Sequence, residues 1–147
     1  MWAIVLSWTC IFAFTLASTL QPVVKSKAGI FQGRYLPEFE QDLYLGVKYA
    51  PQPVRFTPAQ LAKDTPKIHY NVTQYGTDCP GYGSDTTLLI RQGWTTLGED
   101  CLNLNVVVPR TEEKKLPVLL WIYGGGWQQG ATSDPRSVQY SMQHNIE

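Results

Sequence analysis

The chain has 147 residues, and twelve Lys and Arg side chains balance twelve Asp and Glu side chains, so its formal net charge at pH 7 is zero. With no basic stripe and no acidic tail, the sequence excludes nucleic acid and other polyanions as partners.

The first segment is predicted to be a signal peptide, residues 1–19. Residues 1–17 carry no charge, are mostly apolar and run into the small residues Ser18 and Thr19, a composition that signal peptidase accepts although no basic residue comes first. The alternative is an uncleaved membrane anchor, but Ser and Thr interrupt a run of barely spanning length. We therefore predict a secreted mature chain from residue 20, with no stable membrane span after cleavage.

Secretion is consistent with a cysteine pair and a glycosylation acceptor in the mature chain. Removal of Cys10 with the signal peptide leaves an even pair, Cys79 and Cys101, in a compartment where disulfides persist. Two cysteines alone fit neither a zinc site nor a CxxC redox motif. The triplet Asn71-Val72-Thr73 is an N-glycosylation acceptor, which places Asn71 at the surface and adds weak support for secretion.

Short apolar runs predict a meander of antiparallel strands in the first half of the mature chain. These runs are 29–33 and 43–50, separated by Pro37 and polar residues. Three prolines make 50–58 an extended surface segment, because proline cannot donate to a strand ladder. Between residues 59 and 98 the pattern is weak, and it predicts a loop with at most one helical turn.

A strand is clearly predicted at 102–108, where Leu and Val alternate with Asn103 and Asn105 before Pro109 ends the run. A charged turn then leads to the unbroken apolar run 116–123. We predict this run to be a strand buried on both faces, as in a mainly parallel sheet. The short turn predicts that it pairs with 102–108 as an antiparallel hairpin.

Three consecutive glycines, Gly124, Gly125 and Gly126, follow this run, and we call residues 124–130 the glycine loop. A P-loop needs GxxxxGK followed by Ser or Thr and a dinucleotide site needs GxGxxG, so the spacing excludes phosphate binding. Glycine permits positive φ, and open α/β sheets place their sites where strands end. The remaining roles are an oxyanion hole, whose N–H groups face the developing charge on an ester carbonyl oxygen, or a turn that only reverses the chain. Further on, residues 133–135 (Ser-Asp-Pro) predict the start of a helix.

Two blocks of this sequence resemble a known family. Residues 99–109 (EDCLNLNVVVP) and 116–127 (LPVLLWIYGGGW) are similar to the amino-terminal part of the type B carboxylesterases, in the cholinesterase and lipase family of α/β-hydrolases. The runs 29–33 and 44–51, with Arg55-Phe56, match the opening strands of that family in the same order. Mild departures occur at three positions where the family more often has Pro, an aromatic residue or Thr, and His: Lys48, Asn103 and Tyr123.

The resemblance implies a fold, an activity and site residues. The fold is α/β, the incomplete amino-terminal portion of an α/β-hydrolase in which antiparallel edge strands lead into a mainly parallel central sheet. Gly125 and Gly126 become oxyanion-hole donors, and Cys79 pairs with Cys101. The full-length form would hydrolyse small-molecule or lipid esters, and no cofactor is implied.

The resemblance also pairs Arg55 with Glu99. A guanidinium beside a carboxylate can form a bidentate bridge, here tying the extended segment to the disulfide. The alternative is two solvated charges that contribute little, and we favour the bridge. At the family position, Trp127 would line the acyl pocket, or else simply pack.

The catalytic triad is missing from these residues. The family uses a Ser on a GxSxG turn, an acid and a His, all after the glycine loop. Gly83-Ser84-Asp85 lacks the trailing glycine and precedes the loop, as His69 does, and His144 follows the loop too soon. We therefore predict that residues 20–147 are truncated before the nucleophile elbow, inactive alone and poorly folded. The alternative is a non-catalytic relative that acts in binding or adhesion, or a truncated gene product.

Overall fold

The computed structural model describes residues 21–82, 93 and 96–135. The predicted signal peptide, the triplet 83–85, His144 and the body of the predicted last helix lie outside these residues. Two three-stranded sheets, in the orders β1-β2-β5 and β3-β4-β6, are described. Their strands are β1 (Val23–Ser26), β2 (Gly29–Gln32), β3 (Arg34–Leu36), β4 (Gln41–Lys48), β5 (His69–Asn71) and β6 (Asn103–Pro109).

The first sheet combines a tight hairpin with a parallel strand from later in the chain. β1 and β2 pair antiparallel, and β2 pairs parallel with β5. The rings of Phe31 and Tyr70 stack across that parallel pair with centroids 5.2 Å apart. A Cβ on Gly29 would lie 2.4 Å from Tyr70 Cε2, so glycine is what lets β5 approach. The prediction of a loop throughout 59–98 was wrong at β5, because its pairing partner lies far earlier in the sequence and leaves no local pattern.

The second sheet is antiparallel and contains a bulge. β4 pairs with β3 on one edge and with β6 on the other, and the register of β4 with β6 shifts between Tyr44 and Val47. Gly46 lies in this bulge with φ of 70°, and a Cβ there would meet the Gly76 backbone nitrogen at 2.7 Å. The bulge therefore requires glycine on both conformational and steric grounds.

The best-buried apolar side chains lie on and beside β4. Leu43 and Leu45 are each 1% exposed, and Val72 is 4% exposed. The two sheets meet here, because the Leu45 N–H donates to the Val72 carbonyl at 2.7 Å and the Val72 N–H donates to the Gln32 carbonyl at 2.9 Å. The predicted runs 29–33 and 43–50 do form β2 and β4, but in different sheets rather than in one meander.

The prediction of a buried strand at 116–123 was wrong. These residues form no strand, and Val118 is 94% and Ile122 77% exposed. The predicted hairpin is also wrong, since β6 pairs with β4 instead. A strand that is apolar on both faces needs neighbours on its edges and covering layers on its faces, and the described residues supply neither for this segment. Within residues 21–82, 93 and 96–135, no helix has the length and apolarity needed to cross a membrane.

Candidate functional site

The glycine loop has a backbone conformation that few residues other than glycine adopt. Gly125 has φ of 136°, Gly126 of 62° and Gly130 of 121°. Trp127 also has positive φ, 63°, which is strained for an aromatic residue. A Cβ on Gly125 would lie 1.9 Å from the Gln129 carbonyl oxygen, whereas one on Gly126 would meet nothing within 4 Å. Packing and conformation together therefore require glycine at position 125, and conformation alone requires it at position 126.

A tight turn orients this loop. The N–H groups of Gln128 and Gln129 both donate to the Gly125 carbonyl, at 3.1 and 3.2 Å. The N–H groups of Gly125 and Gly126 find no protein acceptor within the described part of the chain, and Gly126 is exposed. Two adjacent free donors at an accessible loop are the elements of an anion or oxyanion site.

Three contacts attach the loop and the residues after it to the rest of the fold. The Tyr82 N–H donates to the Gln128 carbonyl at 2.8 Å. Asn105 on β6 donates from Nδ2 to the Thr132 carbonyl at 3.3 Å, while its Oδ1 accepts from the Gly46 N–H at 2.9 Å. The Ser133 hydroxyl donates to the Asp78 carboxylate in a buried position.

Tyr123 lies at the junction of the apolar segment and the loop. Its ring packs against Gly130, where a Cβ would come within 2.5 Å of Cδ2. Burial raises the pKa of the Tyr123 phenol above its ordinary value of 10.0, and the charges of Asp78 and Tyr49 raise it further. Tyr123 is 37% exposed overall, and its ring acts here as a packing group against Gly130.

A disulfide joins Cys79 to Cys101, with S–S 1.94 Å and Cα atoms 5.0 Å apart. It connects the segment after β5 to the start of β6, close to the attachments described above. Asn103, at the start of β6, adds a side-chain bond from Nδ2 to the Thr77 carbonyl at 2.7 Å. The structure therefore brings the two predicted cysteines together beside the loop.

The structure also brings Arg55 and Glu99 together as an ion pair. The hydrogen bond to Glu99, and then its charge, raise the pKa of the Arg55 guanidinium. The two side chains are 74% and 44% exposed, so solvent screens their attraction. A parallel contact that sequence reasoning missed joins Lys48 to Asp100.

Asn71 is exposed at the end of β5. Its Oδ1 accepts from the Thr73 N–H at 3.2 Å and from the Thr73 hydroxyl at 2.8 Å. Trp127 is fully exposed, at 104%, so among the described residues it neither lines a pocket nor packs. His69 lies exposed on β5, and no catalytic role is predicted for it.

Sequence reasoning missed the polar side chains that hold the loop. Asn105 was identified only as belonging to the polar face of a strand, and Asp78 and Ser133 were given no contact with each other. Asn residues alternating with apolar residues are a usable signal, because a strand buries such an amide only where it has partners. No local pattern could have joined Asp78 to Ser133, which are 55 residues apart.

Comparison with known proteins gives consistent results. The model of the carboxylesterase family matches residues 20–146. The chain is 38% identical over 119 residues to Gut esterase 1 of Caenorhabditis briggsae, covering 76% of this chain and 19% of that protein. It is 36% identical over 130 residues to Cholinesterase of Mus musculus, covering 77% and 20%.

A solved structure of a thermophilic PNB esterase is similar to this fold, with a TM-score of 0.67 and 31% identity. The match covers 78% of this chain and 24% of that esterase, so the chain spans about a quarter or less of the length of these relatives. PNB esterases are α/β-hydrolases, and the described part of this chain contains sheets. On the match of the family model and on these identities, the chain belongs to the carboxylesterase family.

Proposed function

We propose that this chain is the amino-terminal part of a secreted carboxylic ester hydrolase and that its glycine loop supplies the oxyanion hole. The observation that carries the proposal is the pair of N–H groups at Gly125 and Gly126, which have no acceptor among the described protein atoms. Their loop has the positive φ values that bring a bare backbone close to a ligand. Membership of the carboxylesterase family makes an ester carbonyl the natural ligand.

The chemistry assigned to the loop is stabilisation of charge. When a nucleophile attacks an ester carbonyl, negative charge moves onto the carbonyl oxygen, and two fixed N–H donors stabilise that oxyanion. The substrate in the full-length form is a small-molecule or lipid ester. The 147 residues contain no GxSxG turn, and donors without a nucleophile and base give little acceleration. We therefore expect no measurable turnover from this chain alone.

Secretion forms part of the same proposal. Residues 1–19 would be removed as a signal peptide, and residues 20–147 would form the amino-terminal part of a carboxylesterase domain. The bonded pair Cys79 and Cys101 supports an oxidising compartment. The exposed Asn71 supports glycan attachment at this acceptor.

Expression of all 147 residues in a secreting eukaryotic host tests processing and activity together. We expect a new amino terminus between about residues 17 and 20, a mass decrease on treatment with an N-glycosidase, and no hydrolysis of p-nitrophenyl esters above the uncatalysed rate. The variant Asn71→Gln is the control for the glycan. Secreted material that begins at Met1, or turnover that a serine-directed inhibitor abolishes, would contradict the respective part of the proposal.

A second candidate is a non-catalytic binding or adhesion protein. These 147 residues contain no GxSxG turn, but the family places that turn after the glycine loop, so this stretch does not separate the two candidates. Sequencing the transcript beyond the codon for Glu147 separates the two candidates. A continuing reading frame that encodes GxSxG favours the hydrolase, and a continuing frame without it favours the binding protein.

A further inference from the structure

One residue on each side of the half-cystine Cys79 holds the glycine loop or the residues that follow it. Tyr82 does so through its backbone N–H, which donates to the Gln128 carbonyl at 2.8 Å. Asp78 does so through its side chain, since its carboxylate accepts the Ser133 hydroxyl proton. The disulfide region therefore contacts the glycine loop itself, at Gln128, and the residues just after the loop, at Ser133.

Asp78 is itself fixed by its backbone. Its N–H donates to the Thr96 carbonyl at 2.9 Å, and its carbonyl accepts from the Gly98 N–H at 3.0 Å. The preceding carbonyl, that of Thr77, accepts from Asn103 Nδ2 at 2.7 Å. A side chain on a backbone held in this way can act as a rigid anchor.

The contact between Asp78 and Ser133 is buried at both ends. Asp78 is 4% exposed and Ser133 is 7% exposed. A buried carboxylate is costly unless polar hydrogens surround it, and a hydrogen bond to a charged group is stronger than one between neutral groups. The Ser133 hydroxyl is therefore a stabilising partner that the carboxylate cannot readily exchange for water.

We propose that Asp78 is a positioning residue for the glycine loop, holding its carboxyl-terminal flank through Ser133 so that the N–H groups of Gly125 and Gly126 keep a fixed direction. The catalytic meaning of this role rests on the proposed oxyanion hole. The positioning itself does not, because it can be measured without any ester hydrolysis.

Amide hydrogen exchange of the isotopically labelled 147-residue chain, measured by NMR, provides the test. The reporters are the amides of Gln128 and Gln129, which are protected only while the turn on the Gly125 carbonyl is formed. The reference amides are those of Ile30 and Leu45, which donate within the sheet region.

Removal of the hydroxyl in Ser133→Ala should speed exchange at the two reporters about tenfold or more and leave the reference amides unchanged. Ser133→Thr keeps the hydroxyl and should restore nearly wild-type exchange. The matched control is Ser26→Ala, which removes a hydroxyl bonded within the first sheet and should leave the reporters unchanged.

Asp78→Asn keeps the volume of the site but replaces the charged acceptor with a neutral one, so it reports even if the Ala variant unfolds. Exchange at the reporters should rise in this variant, by less than in Ser133→Ala. Unchanged reporters in both variants would overturn the proposal, as would an equal rise at the reference amides. Unprotected reporters in the wild-type chain would also overturn it. Esterase assays do not enter this test, so a failed oxyanion hole and a failed anchor give different results.

Discussion

Strand β4 (QDLYLGVK) contains polar and charged residues and the segment 116–123 (LPVLLWIY) contains none, yet β4 is the one with buried leucines. Leu43 and Leu45 on β4 are each 1% exposed, whereas Leu119 and Leu120 are 74% and 79% exposed. β4 has a hydrogen-bonded strand on each edge, and no described strand pairs with the segment. Apolar composition therefore sets how much free energy a segment can gain from burial, and the neighbouring strands determine whether the segment is buried.

The size of that gain explains why the difference matters. Fully burying one Leu side chain contributes roughly 1.5–3 kcal/mol. β4 obtains this contribution at two positions, and the segment obtains little of it. A contiguous apolar stretch exposed in this way is a site for association or aggregation.

The largest expected effect comes from truncating a buried leucine of β4. Leu45→Ala should lower the free energy of unfolding by about 2–5 kcal/mol, because it leaves a cavity beside Val72 and the bulge of β4. The matched variant Leu120→Ala should change it by less than about 0.5 kcal/mol, because that side chain is already exposed. Urea unfolding followed by circular dichroism measures both.

Equal effects from these two variants would show that the segment is buried in solution after all. The contrast between β4 and 116–123 would then be wrong, and the predicted buried strand would be restored.

The disulfide should give the next largest effect, because it fastens the start of β6 to the segment after β5. Replacing both Cys79 and Cys101 by Ser should lower the free energy of unfolding by about 3 kcal/mol, through the gain in entropy of the unfolded chain. The two residues are 22 apart in the sequence, which is the loop length behind that figure. Thermal unfolding with and without reductant gives the comparison for the unaltered chain, and a linked peptide pair in a non-reduced digest establishes the bond. Two free thiols in secreted protein would refute it.

Alkaline pH should have a smaller effect on stability. One tyrosine from each region contributes to it. Burial raises the pKa of Tyr44 on β4 and of Tyr123 at the end of the segment above 10.0. A raised pKa in the folded state means that stability is complete below the unfolded pKa and is lost as pH rises through the folded value. The melting temperature should therefore fall as the pH rises above about 10.

Tyr123→Phe should weaken this pH dependence, while Tyr82→Phe, at a side chain that is 90% exposed, should leave it unchanged. An undiminished fall in Tyr123→Phe would mean that Tyr123 is as solvated as the rest of the segment, which would extend the exposed region up to the glycine loop.

The smallest effect is expected at the ion pair between Arg55 and Glu99. Both side chains are largely in water, so Arg55→Ala should leave the melting temperature within experimental error. Arg110→Ala is an informative control, because Arg110 pairs with Asp42 of β4 and lies 3.8 Å from the centre of the Tyr35 ring. A larger loss from Arg55→Ala than from Arg110→Ala would show that the extended segment is more firmly attached than its exposure indicates.

The parts of this fold that the sequence predicted are those with local patterns. Alternation along 102–108 indicated β6, apolar runs indicated β2 and β4, and three glycines marked the loop with positive φ. Strands β1, β3 and β5 have only three or four residues, too few to show a period, and β5 depends on a distant partner. The error at 116–123 has the opposite cause, since a strong local pattern there lacks the neighbours it needs. The anchor at Asp78 and Ser133 joins residues far apart in sequence and could be found only in three dimensions.

The strand order of the two sheets has a consequence for a chain that is cut. β3 and β4 of the second sheet lie between β2 and β5 of the first, so the sheets are interleaved along the sequence. A single proteolytic cut in the exposed stretch between residues 51 and 64 leaves β2 and β4 on one fragment and β5 and β6 on the other. The disulfide lies wholly within the second fragment and cannot hold the two together. A nicked molecule would therefore be held together only by non-covalent contacts, among them strand pairing in both sheets and the ion pairs of Lys48 with Asp100 and of Arg110 with Asp42. Neither sheet is encoded by a contiguous stretch of sequence that leaves out the strands of the other.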